Sequence, residues 1–158
     1  MNFNIREMSS EYIEQVSNIH ASSFERQHNS LQWIECNFKA YPRIQFFVAQ
    51  FEDNILGYIQ WIQKSGFRSK VILELEQMAV LPKMRNNGIG KSLILNSLPL
   101  ITSNLKLEGS DLMHIIVTTR ADNNAQNLYK EVLGADVVTT IPNLYSADEV
   151  IMVSRNVQ

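Results

Sequence analysis

The chain has 158 residues, 45% of them hydrophobic and 19% charged, the length and composition of a single domain, residues 1-158, able to bury a full core. The formal net charge is only −2, and the Lys and Arg residues are scattered rather than clustered, so the electrostatic footprint of a nucleic-acid binder is missing. No stretch of about 18 consecutive apolar residues occurs, and the first residues lack the basic-then-apolar form of an export signal, so the expectation is a cytoplasmic protein with no membrane partner.

The order of elements follows from periodicity. Phe3 to Arg6 alternates and is a short strand candidate. Tyr12, Ile13, Val16 and Ile19 recur at helical spacing, and Leu31, Ile34, Phe38 and Tyr41 do so again before Pro42 stops the pattern. Cys36, the only cysteine, falls in this second helix, where it reads as a small core hydrophobe. Phe46 to Phe51, Ile55 to Ile62 and Val71 to Val80 are strand-like runs joined by short, turn-rich connections, which predicts an antiparallel meander. After Pro82 a helix runs to about Leu98, where Pro99 should end or kink it. Met113 to Thr118 suits a strand buried on both faces. Ala125, Leu128, Tyr129 and Val132 mark a helix ending near Gly134, and strands around Val137 to Thr140 and Glu149 to Ser154 complete the chain. The expected fold is α/β: a mixed central sheet of about seven strands with about four helices, in the order βααβββαβαββ.

One stretch, Met84-Arg85-Asn86-Asn87-Gly88-Ile89-Gly90-Lys91-Ser92-Leu93, looks made for a phosphate. Gly90-Lys91-Ser92 resembles the end of a nucleoside-triphosphate P-loop. That loop needs a glycine five residues before the Gly-Lys-Ser, however, and Arg85 stands there. It also needs an Asp at the end of a neighbouring apolar strand, which Met113 to Thr118 does not supply. What remains is a strand ending at Val80-Leu81-Pro82, a loop with two glycines, and a helix whose first N–H groups lack intrahelical partners. Such an end suits an anion such as a pyrophosphate, because the N–H groups and the helix dipole point at one spot. The plainer alternative is an ordinary loop whose glycines serve turn geometry.

The strand with Glu74, Ala79 and Val80, then Pro82, then Arg85-Asn86-Asn87-Gly88-Ile89-Gly90, resembles motif A of the GCN5-related N-acetyltransferase (GNAT) superfamily. Ala125-Gln126-Asn127-Leu128-Tyr129 followed by Gly134 resembles that superfamily's second hallmark, an Ala-x-x-Leu-Tyr helix. The chain departs from the pattern in having Asp122 or Asn123 where an Asn begins the second motif, one extra residue before Gly134, and Ala135 in place of a Phe.

The resemblance implies an acetyl-CoA-dependent N-acetyltransferase with no metal, acting on a small-molecule or peptide amine acceptor, as a monomer or homodimer. A coenzyme A-binding module that senses or regulates is the alternative. Backbone N–H groups from Arg85 through Asn86, Asn87, Gly88, Ile89 and Gly90 to Lys91 are implied to cradle the pyrophosphate. The pantetheine arm is implied to pair with the strand at Met78, Ala79 and Val80, with Asn123 near it. Lys83, Arg85 and Lys91 are candidates for the phosphates.

The chemistry needs an amine in its free-base form, which for a lysine-like amine at pH 7 costs about 4.6 kcal/mol. A general base therefore helps, directly or through water. Glu74 and Glu76 sit mid-strand among apolar residues, on one face with Met78 and Val80, about 6 to 7 Å apart. Their repulsion and partial burial should raise at least one pKa; alternatively the face is solvated, or an Arg such as Arg43 or Arg68 neutralises the pair. The resemblance ranks Glu74 first as base and implies that the Tyr129 hydroxyl faces the departing sulfur as general acid, although Tyr129 also fits a plain core role. Trp33, Trp61, Phe46 and Phe47 read as core or pocket lining, and His20, His28 and His114 show no metal spacing.

Overall fold

The computed structural model describes residues 2–157. Seven strands and four helices follow the expected order: β1 (Asn4–Glu7), α1 (Ile13–Ser23), α2 (Ser30–Phe38), β2 (Ile44–Phe51), β3 (Asn54–Gln63), β4 (Lys70–Val80), α3 (Ile89–Leu107), β5 (Asp111–Arg120), α4 (Ala125–Leu133), β6 (Asp136–Ile141) and β7 (Glu149–Ser154). The strands join one sheet in the order β1-β2-β3-β4-β5-β7-β6. β1 runs antiparallel to β2 from Asn4↔Gln50 to Glu7↔Phe47. β4 and β5 form the parallel pair, which is what a strand-helix-strand crossover delivers. That ladder begins at Lys70↔Asp111 and ends at Glu74↔Ile116, although β4 continues to Val80 and β5 to Arg120.

Backbone contacts gather the chain into two compact units, one holding the residues up to Trp61 with Gln77–Ile101, the other Ile62–Glu76 with the residues from Thr102 onward. In the first unit the core is built from α1 and α2 side chains Val16, Ile19 and Ile34, strand residues Phe47, Tyr58, Ile59 and Trp61, and Leu93 and Ile94 of α3, all but sealed from solvent. The indole N–H of Trp61 donates to Ser97 Oγ at 2.9 Å, so the largest buried ring also satisfies its one polar atom. In the second unit Leu73, Leu75, Ile115, Val117 and Met152 play the same part.

Three sequence expectations are corrected. α3 does not stop at Pro99 but continues to Leu107. Proline removes one N–H, whose helical acceptor is the carbonyl of Leu95. Ile101 and Leu105 beyond the proline are buried and hold the last turns in place. β5 is not buried on both faces: Ile115, Val117 and Thr119 are buried and alternate with half-buried Ile116 and Thr118. Cys36 is exposed, not a core residue, and its thiol donates to the Trp33 carbonyl one helical turn back. Among the described residues no helix is long and apolar enough to cross a membrane.

Candidate active site

In the first unit, β4 ends at Val80 and leads through a short turn, Pro82–Met84, into the loop that precedes α3. Asn86 and Gly88 both take left-handed backbone angles, φ 62° and 75°, as a loop must when it turns successive N–H groups inward. Asparagine and glycine are the residues that adopt this region most cheaply. The Asn87 side chain fixes the loop from within, its amide donating to the carbonyls of Met84 (3.1 Å) and Arg85 (3.0 Å). The N–H of Ser92 finds the Gly88 carbonyl at 3.0 Å, whereas those of residues 86–90 have no acceptor among the described residues. A Cβ built on Gly88 would meet nothing within 4 Å, so the loop borders open space at Gly88. Ile89 is buried and anchors the first turn of α3. The loop is therefore a row of unpaired donors at the positive end of a 19-residue helix.

Arg85 is placed differently from the phosphate-contacting role considered for its side chain. Its Nε donates to the Val80 carbonyl (3.2 Å) and its Nη2 to Ser23 Oγ (3.4 Å), tying the loop to the ends of β4 and α1. The strand itself is held closely on its other side. A Cβ on Gly57 of β3 would lie 2.8 Å from the Ala79 carbonyl oxygen and 3.3 Å from Val80 Cα, so only glycine lets β3 approach here.

Beside this segment lies a polar network that spacing alone did not reveal. Gln77, 8% exposed, accepts hydrogen bonds at Oε1 from the Trp33 indole N–H (3.0 Å) and the Tyr58 hydroxyl (3.3 Å), and its Nε2 donates to Gln27 Oε1 (3.3 Å). Gln27 Oε1 also faces His20 Nε2 at 2.9 Å, and His20 Nδ1 faces Ser30 Oγ at 2.8 Å. With Nε2 donating to Gln27 and Nδ1 accepting from Ser30, every polar atom of the neutral imidazole is satisfied. Burial holds the His20 pKa below its ordinary value, opposed by the Gln27 hydrogen bond. The signal for Gln77 was present in β4, where Val71, Leu73, Leu75 and Ala79 share its buried parity and it alone is polar.

In the second unit, Glu74 and Glu76 share the half-buried parity of β4. Glu74 is paired with a lysine, Lys64 Nζ lying 2.7 Å from Glu74 Oε2, and Arg68 instead donates to the Ser65 carbonyl. At the far end of β5, Arg120 grips Asp122 through two 2.9 Å bonds, and this guanidinium hydrogen bond holds the Asp122 carboxyl below its usual range. Asn123 works locally, its Nδ2 donating to Thr119 Oγ1 and its Oδ1 accepting from the Ala125 N–H, both at 2.9 Å. It thus satisfies the first N–H of α4 from one residue before the N-cap, Asn124. Tyr129 on α4 is 7% exposed, its hydroxyl has no hydrogen-bond partner among the described residues, and burial pushes its pKa up to about 12. A phenol so placed stays protonated at neutral pH. Trp61, Phe46 and Phe47 are buried in the core, whereas Trp33 is 36% exposed. No group of three or more candidate metal ligands occurs among the described residues.

A strand leading into a donor-lined loop and a long helix, within this mixed sheet, defines an anion-binding α/β fold. The family model described as "Acetyltransferase (GNAT) domain" matches residues 42–132, and the chain belongs to that family. It is similar in fold to Ard1 from Thermoplasma volcanium (20% identity, 100% of both chains covered, TM-score 0.75). It is likewise similar to Arabidopsis thaliana NAA60 solved with acetyl-CoA (18% identity, 96% of this chain and 97% of that one, TM-score 0.77). An aminoglycoside 6'-N-acetyltransferase complexed with coenzyme A matches at 18% identity over 98% of each chain, with a TM-score of 0.76. No curated protein matches the chain in sequence.

Proposed function

We propose that the protein transfers an acetyl group from acetyl-CoA to a primary amine of a small molecule, peptide or protein, by direct attack of the amine on the thioester. The observation that carries this is the row of unpaired N–H groups over residues 86–90, opening onto free space at Gly88. Such donors suit a diphosphate. β4 pairs with β5 only as far as Glu74, which leaves backbone groups of Met78 and the Val80 N–H on that edge for the amides of a pantetheine arm, the Val80 carbonyl already accepting from Arg85. The relatives solved with coenzyme A or acetyl-CoA support the same cofactor.

In the proposed reaction the amine nitrogen bonds to the thioester carbonyl carbon, the carbon–sulfur bond breaks, and coenzyme A leaves as a thiolate. Glu74 takes the amine proton, directly or through water, and Tyr129 gives its phenolic proton to the sulfur. Lys64, 2.7 Å from Glu74, is the natural partner of an ionised carboxylate, the form a base needs. Asn123 holds the start of the helix that carries Tyr129.

Thiol release from acetyl-CoA, measured across polyamines, aminoglycosides, amino acids and N-terminal peptides, tests the activity; no release above hydrolysis with any of them would overturn it. Glu74→Gln should lower turnover most near neutral pH, with the loss shrinking as pH approaches the pKa of the acceptor amine. If Glu76→Gln shows that profile and Glu74→Gln does not, the base is Glu76.

A further inference from the structure

The hydroxyl of Tyr129, assigned above as donor to the departing sulfur, is held by no hydrogen bond among the described residues. No neighbour aims it, so its direction follows from the placement of α4. That helix has nine residues, Ala125–Leu133, fewer than the roughly 12–15 at which an isolated helix becomes even marginally stable. What places it lies outside the helix, in two side-chain pins. At the start, Gln126 Nε2 donates to the carbonyls of Arg120 (3.1 Å) and Ala121 (2.9 Å), the last residue of β5 and the one after it. At the finish, the Ser154 hydroxyl of β7 donates to the Leu133 carbonyl.

Gln126 is half-buried, and its two amide N–H groups are matched by two carbonyls. It stands three residues before Tyr129, so the two side chains share one face of α4. A bond at Gln126 therefore fixes the rotation of that face about the helix axis. Rotating the helix by about 10° moves an atom about 6 Å from the axis by about 1 Å, and a misplacement of that size costs a reaction as much as about 100-fold. We infer that Gln126 is a positioning residue for Tyr129: clamping the first turn of α4 to the end of β5, it sets the direction in which the phenol points. This rests on the transferase reading above and adds a residue to it.

A double-mutant cycle tests this, read as thiol release from acetyl-CoA per folded molecule with whichever polyamine, aminoglycoside, amino acid or N-terminal peptide releases most thiol in the panel above. Gln126→Leu keeps the bulk of the side chain and removes both donors. It should lower turnover by about tenfold, with the KM for acetyl-CoA little changed. In the Tyr129→Phe background, where there is no phenol to misdirect, it should lower turnover almost no further. Gln126→Lys still carries donors for both carbonyls and should retain most of the turnover. A glutamine that only stabilises the fold gives another pattern, the same fractional loss in both backgrounds, and that result would overturn the inference. Full turnover in Gln126→Leu would do so as well. Full turnover in Tyr129→Phe would overturn the inference and leave the transferase reading standing, whereas no release above hydrolysis from the unsubstituted protein with any of these amines would overturn both.

Discussion

Replacing Gly57 with Ala tests how tightly the cofactor strand is set. The added Cβ would stand 2.8 Å from the Ala79 carbonyl oxygen, 3.2 Å from Val80 Cγ2 and 3.3 Å from Val80 Cα. Two of these atoms are backbone and cannot rotate away. Reaching an ordinary contact of 3.4 Å requires the strands to separate by about 0.6 Å. Overpacking of this kind costs about 1–3 kcal/mol, and the backbone gain on replacing a strand glycine offsets about 0.5–1 kcal/mol of it. At the middle of both ranges the net loss is about 1.3 kcal/mol, which for a chain of this size lowers Tm by roughly 3–5 °C. Because the displaced atoms are those of Ala79 and Val80, coenzyme A affinity should fall as well, by about tenfold for one hydrogen bond lost. Differential scanning calorimetry and isothermal titration with coenzyme A read the two effects. A Gly57→Ala variant with unchanged Tm and unchanged affinity would show that the approach of β3 does not position the strand.

Gly88→Val forces a β-branched residue to φ 75° and places its side chain in the open space at that position; calorimetric affinity for coenzyme A should drop at least tenfold, and unchanged affinity in a folded variant would refute the placement. Tyr129→Phe should lower turnover by about 10- to 100-fold with little change in cofactor affinity, since a thiolate is already a tolerable leaving group; a large loss of Tm with normal turnover would make Tyr129 a packing residue. Stability should depend on pH through His20. Its folded pKa lies below the unfolded value of 6.5, so the unfolded chain binds the extra proton first, and stability is full above about pH 6.5 and falls as pH drops below it, by at most about 1.4 kcal/mol per unit. Urea unfolding between pH 5 and 8 should show a slope that His20→Gln removes, and identical slopes in the two proteins would refute it.

Elements with a strong period were legible from the residues alone. β7 falls at Glu149–Ser154, as its alternation indicates, and α4 ends at Leu133 with Gly134 in the left-handed cap that its position suggested. The donor loop was legible too, because Gly88, Gly90 and a helix start are a local pattern. What spacing missed depends on partners distant in sequence. Lys64 reaches Glu74 across a hairpin, and Trp33 meets Gln77 from 44 residues away. Pro99 misled because a proline rule weighs one lost hydrogen bond and cannot see Ile101 and Leu105 packing beyond it. Cys36 misled because one residue's shift around a helix turns a core position to solvent.

That exposed thiol also bears on how the chemistry can be watched. Cys36 is the chain's single sulfhydryl, and it stands one helical turn from Trp33 with its sulfur against the Trp33 carbonyl. Any reagent that counts coenzyme A by its free sulfur will count each protein chain once before the first turnover. An acyl group that strayed from the thioester onto Cys36 would free one coenzyme A thiol and mask one protein thiol, leaving the sulfur count unchanged with no amine consumed. A Cys36→Ser protein separates such an initial step from steady release, and the unmodified protein offers one defined point for attaching a spectroscopic probe beside the exposed indole.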